Sequence, residues 1–85
     1  YYTAGRTPGM VRAFIMTKVE TGHAEGVLAE VSGFERVTEA KVVAGDFDLV
    51  VEAEGEEVYD VLHSASNAIR GLTHVVDTKT YVCLE

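Results

Sequence analysis

Apolar residues along this chain change their spacing from one stretch to the next, and each spacing names an element. From Val11 to Glu20, Ala13 and Ile15 fall on one parity and Phe14 and Met16 on the other. A strand apolar on both faces needs cover on both. Thr21-Gly22 then turns the chain, and either residue is placed to cap the helix that follows. Ala24, Val27, Leu28 and Val31 recur at helical spacing until Gly33 ends the run. Val37 to Ala44 reads as a second strand, with Glu39 and Lys41 on one face and Thr38, Ala40 and Val42 on the other. Gly45-Asp46 leads into a third strand from Phe47 to Glu54, apolar on both faces at Leu49, Val50 and Val51. From Glu56 to Arg70 a stripe of Val58, Val61, Leu62, Ala65 and Ile69, continued by Leu72, fits the 3.6-residue period of a second helix. Its acidic first turn and Arg70 in its last suit the helix dipole. After Gly71, Val75 to Leu84 is a last strand.

The order strand–helix–strand occurs twice, and so does part of the sequence. Gly33-Phe34-Glu35-Arg36-Val37-Thr38 returns as Gly71-Leu72-Thr73-His74-Val75-Val76, each copy leading from a helix into a strand. Two such units predict an α+β fold, the ferredoxin-like βαββαβ sandwich: a four-stranded antiparallel sheet with two helices on one face. Helices on one face leave the other apolar face uncovered. Periodicity does not say whether Phe14, Met16 and Val50 or the opposite set meets the helices. Since monomers rarely expose a large apolar patch, a dimer packed sheet to sheet is expected.

Composition narrows the partners. Eighty-five residues, 47% of them hydrophobic, form one small globular domain. A net charge of −7 argues against direct contact with nucleic acid or anionic membranes. Cys83 is the only cysteine, which excludes an intrachain disulfide and fits a reducing, cytoplasmic setting. No apolar run approaches a membrane span and no signal peptide is evident. Residues 1–9 lack periodicity and read as a leader foreign to the domain, with Met10 as the natural start and residues 10–85 as the domain. No phosphate loop, nucleophile–base pair or metal-ligand spacing occurs, and His23, His63 and His74 read as ordinary surface histidines. Neither a cofactor nor a metal is expected.

The turn Gly45-Asp46-Phe47-Asp48 and the segment Val75-Val76-Asp77-Thr78-Lys79-Thr80, in this order of elements, resemble the effector-binding (RAM) domain of the Lrp/AsnC regulators. The resemblance runs from Met10 to Glu85. In that family the turn usually reads Gly-x-Tyr-Asp and the last strand carries Thr-x-Thr. Phe47 in place of the tyrosine keeps ring stacking and loses any contact of the phenolic hydroxyl. The resemblance implies sheet-to-sheet dimers joined into an octamer or decamer, with an amino acid bound between dimers. Having no room for a helix-turn-helix, the chain resembles the stand-alone members, which act without their own DNA reader, possible companions being full-length relatives.

The implied ligand site comprises Gly45, Asp46, Phe47, Asp48, Thr78 and Thr80. Gly45 leaves peptide groups accessible, so turn N–H groups hold the ligand carboxylate while Asp48, more than Asp46, accepts from its ammonium. Phe47 is placed either to pack on the ligand side chain or to fill a core or interface position. Thr78 and Thr80 share one strand face and offer two hydroxyls. Ser64, Ser66 and Asn67 read as solvated helix surface. Two alternatives remain open: a dimeric monooxygenase-type enzyme, whose pocket would lie between sheet and helices, and a purely structural assembly module.

Overall fold

A computed structural model describes residues 10–84; the leader reading of residues 1–9 lies outside them. The elements follow in the expected order: β1 (Val11–Val19), α1 (Ala24–Ser32), β2 (Val37–Val42), β3 (Leu49–Gly55), a π-helical segment (Asp60–Ser66) running into α2 (Asn67–Arg70), and β4 (Val75–Val82). The four strands form one antiparallel sheet in the order β2-β3-β1-β4. The interior strands β1 and β3 are the ones whose sequence is apolar on both faces.

Burial decides which parity meets the helices. Ala13, Ile15, Thr17 and Val19 of β1 and Leu49, Val51 and Ala53 of β3 are buried, and Ile15, Val19, Leu49, Val51 and Ala53 form one core cluster with Val27, Val31, Ala65 and Ile69 from the helical layer. Phe14, Met16 and Val50 therefore lie on the open face. Tyr81, opposite Phe14 in the register, joins them and is 59% exposed.

The sequence repeat is also a repeat of hydrogen bonds. Phe34 N–H donates to Val31 O at 3.0 Å, as Leu72 N–H does to Ile69 O at 3.1 Å. Val37 N–H donates to Phe34 O at 3.1 Å, as Val75 N–H does to Leu72 O at 3.2 Å. Glu20 N–H to His74 O and Glu54 N–H to Arg36 O, both 2.9 Å, tie each first strand of a unit to the loop of the other unit. Even the irregularities match. β2 bulges against β3 between Val37 and Glu39, and β4 skips Val76 where it meets Lys18 and Val19 of β1. One extra residue per outer strand adds local twist at both sheet edges.

Two local expectations are corrected. His23, not Thr21 or Gly22, occupies the position before α1, and it makes no side-chain cap bond. Gly33 and Gly71 end their helices as expected, in right-handed conformations of φ −88° and −78°. The second correction is the second helix, which starts with α-helical winding at Val58 and Tyr59 and leaves it from Asp60 until Asn67. Over Asp60–Ser66 its bonds reach five residues, as in Asn67 N–H to Leu62 O. The wider turn carries Val61, Ala65 and Ser66 inward, leaving Leu62 at 37% and Val58 at 47% exposure. A close approach fixes its start: a Cβ at Gly55 would sit 2.6 Å from Asp60 Cβ. Asp60 Oδ2 in turn accepts from the N–H groups of Glu56 and Glu57, both at 3.1 Å.

Candidate functional site

The turn from β2 to β3 is built around two residues. Gly45 has φ +155°, a region that side chains rarely adopt, although no atom lies within 4 Å of where its Cβ would be. Backbone conformation, not space, selects glycine there. Asp48 closes the turn with three bonds: its carbonyl accepts from Val43 N–H at 2.8 Å and its N–H donates to Thr17 O at 2.9 Å. Its carboxylate oxygen Oδ2 accepts from Val19 N–H at 2.9 Å. β3 begins pairing with β1 at Leu49 and Thr17, so Val19 lies past the end of that ladder. The Asp48 side chain supplies the acceptor that the missing strand would have supplied.

Beside this turn, the open face of the sheet holds a concavity of about 410 Å³. Met16, Val50 and Tyr81 line it from the sheet, and Gly45, Asp46 and Phe47 from the turn. A smaller hollow of about 230 Å³ continues from Val43 and Val50 toward Glu39, Lys41 and Glu52. Charge on this face is largely paired: Arg12 contacts Glu52 at 3.0 Å and Glu54 at 2.9 Å, and Lys41 contacts Glu39 at 2.9 Å. Lys18 Nζ donates to Asp46 O at 3.2 Å and so braces the turn.

Thr78 and Thr80 do share one strand face, but it is the face toward the helices. They stand opposite Thr17 and Ile15 of β1. Thr78 Oγ1 accepts from both Nε and Nη2 of Arg70 at 3.3 Å, and Thr80 Oγ1 lies 2.8 Å from Ser66 Oγ. Ser66, read from sequence as solvated, is 3% exposed, whereas Ser64 and Asn67 are exposed. Within one chain the turn lines the open face and the threonines lie on the opposite one. Ser66 and Arg70 join the threonines in a polar layer that the helical stripe did not signal, because the π winding moves Ser66 inward.

A second constellation lies just past the C-terminal end of β1, beyond Val19. Glu20, His23 and His74 bring their ligand-type atoms within 4.8 Å of one another. His74 Nδ1 is 2.8 Å from Glu20 Oε1, and the His23 and His74 rings stack at 3.5 Å with 14° between their planes. The hydrogen bond from His74 holds the Glu20 carboxyl below its ordinary value of 4.5; desolvation opposes this, and the charges of His74 and His23 add to it. Chain spacing hides this cluster, because strand pairing alone brings residue 74 to residues 20–23. His63 stays apart, stacked on Tyr59 at 4.3 Å.

The comparisons agree with this architecture. TTHA0845 of Thermus thermophilus superposes with a TM-score of 0.82 at 20% identity, over 88% of this chain and 94% of that one. E. coli AsnC superposes with a TM-score of 0.79 at 21% identity, over 88% of this chain and 51% of AsnC. The transcriptional regulator NMB0573 of Neisseria meningitidis, solved as an L-Met complex, gives 0.75 at 18%, over 88% and 50% of the two chains. At these identities each likeness speaks for the fold. No curated protein matches the sequence. Residues 12–85 match the Lrp/AsnC ligand binding domain, nearly the whole of the described chain, and on that match the protein belongs to the Lrp/AsnC family.

Proposed function

We propose that this domain binds a free amino acid at the Gly45–Asp48 turn, assembles through the open face of its sheet, and acts as a regulatory sensor without chemistry of its own. The observation that carries the reading is the 410 Å³ concavity at that turn, in a chain of a ligand-binding family. Its apolar sheet side suits a ligand side chain stacked on Phe47, and turn N–H groups suit the carboxylate. Asp48 Oδ2 is engaged by Val19, so Asp46 at the exposed rim becomes the stronger acceptor for the ammonium. Thr78 and Thr80 face the helices and bond Arg70 and Ser66, so they lie outside this concavity. The L-Met complex of NMB0573 is consistent with a ligand of this class. A core of fully buried Ile15, Val27, Val51 and Ile69 fills the space between helices and sheet, where the enzyme alternative needs its pocket.

A thermal-shift panel of the twenty free amino acids, run in EDTA, tests this reading. A ligand at one hundred times its Kd stabilises by about 2.7 kcal/mol, raising Tm by roughly 11–22 °C for a domain of this size. Phe47→Ala is expected to abolish that shift while folding normally. A flat panel against the assembled protein overturns the amino-acid reading and leaves the assembly module.

A further inference from the structure

We propose that Glu20, His23 and His74 form a site for a divalent transition cation of the Zn²⁺ class, joining the β1–α1 turn to the loop before β4. The proposal is independent of the amino-acid reading. Its donors, two imidazoles and one carboxylate, are the set that three-ligand zinc sites use, with a fourth position left to water or another ligand.

The backbone already gathers these donors. Val19 pairs with Val75, Glu20 N–H donates to His74 O at 2.9 Å, and His23 N–H donates to Glu20 O at 3.0 Å. Bond lengths of about 2.0–2.2 Å around a tetrahedral cation place donor atoms roughly 3.3–3.6 Å apart. The three donors lie within 4.8 Å of each other, and turning the two rings out of their stack brings one nitrogen of each toward an ion shared with the Glu20 carboxylate. Glu20 is exposed and both histidines are only half-buried, which leaves room for that rotation.

The repeat gives a further reason to place a cation here. The residue equivalent to His74 in the first unit is Arg36, and its backbone carbonyl accepts from Glu54 just as that of His74 accepts from Glu20. There the Arg36 guanidinium reaches Asp60 at 3.8 Å and connects the loop to the start of the π-helical segment. At the His74 corner, a bound cation makes the same connection between loop and helix start. The net charge of −7 adds a general attraction.

The test uses the full chain, stripped with EDTA and dialysed. Titration with Zn²⁺ by calorimetry is expected to give one ion per chain, and Co²⁺ is expected to show visible d–d absorption of a low-coordinate site. His23→Gln and His74→Gln should each weaken Zn²⁺ binding by about ten-fold or more, while His63→Gln leaves it unchanged. In the unmodified protein, Zn²⁺ should shift the ring resonances of His23 and His74 and spare those of His63, a readout that needs no variant to fold. No binding up to millimolar Zn²⁺, or binding that shifts only His63 or survives both substitutions, overturns the proposal.

Discussion

Asp48 shows how one side chain holds a turn that sequence alone marks as a ligand contact. Its carboxylate takes the Val19 N–H at the point where the β1–β3 ladder ends. Asp48→Ala leaves that donor without its partner, so a loss of about 1–3 kcal/mol is expected in urea unfolding, before any ligand is added. Asp48→Asn, which keeps an acceptor, should recover most of it. A ligand response that disappears in Asp48→Ala therefore reports the turn as much as the site, and Phe47→Ala is the cleaner probe. Glu20 gives a second prediction at this scale. Its folded-state pKa lies below the ordinary 4.5 because His74 donates to it, so the pair stabilises the fold above the unfolded value. That contribution is lost as pH falls through the lowered folded value. Carbon-detected titration of the Glu20 carboxyl is expected to show a midpoint below 4.5 in the parent and a higher midpoint in His74→Ala. The stability difference between the two proteins should narrow as pH drops through the parent's midpoint.

At the scale of elements, type and order were legible and winding was not. Two-face apolar strands, a six-residue repeat and glycine stops are local signals, and they survive in the structure because tertiary packing agrees with them. The second helix departs because the amphipathic stripe assumes a 3.6-residue turn, while the close approach of Gly55 to Asp60 begins a wider one. Nothing within Asp60–Ser66 announces that change. Substitution separates the two windings. A 3.6-residue stripe makes Leu62 as much a core residue as Val61; the π winding exposes one and fully buries the other. Leu62→Gln is expected to change stability by about 0.5 kcal/mol or less. Val61→Ala removes two buried carbons and leaves a small void, costing about 2 kcal/mol. Equal losses at the two positions, measured as denaturant midpoints, contradict the π winding in solution.

For the whole molecule, fold and family were readable from sequence, but the relation between candidate site residues was not. A strand's parity shows that Thr78 and Thr80 share a face; only the pairing partner shows that the face meets Ser66 and Arg70. For the same reason periodicity left open which side of β1 needs a partner. The structure answers with Phe14, Met16, Val50 and Tyr81 on the face away from the helices. A second copy laid on that face buries this strip, and Met16 is the place to break the contact selectively. Its register partners are Val50 and Lys79, so a carboxylate there stands directly opposite no like charge. At Phe14, by contrast, the new charge would stand beside Glu52 and strain the monomer itself. Met16→Glu is therefore expected to keep the thermal transition of an isolated domain while shifting the species seen by light scattering from dimer to monomer. Two chains of net charge −7 also repel when they meet. Salt screens that repulsion over about 10 Å at 0.1 M, whereas the burial of apolar side chains persists. The parent dimer should accordingly tighten between low and moderate ionic strength, and Met16→Glu should remain monomeric throughout. An assembly that weakens as salt rises would place charge pairing, with Arg12, Glu52 and Glu54 at its centre, above apolar burial as the force joining the chains.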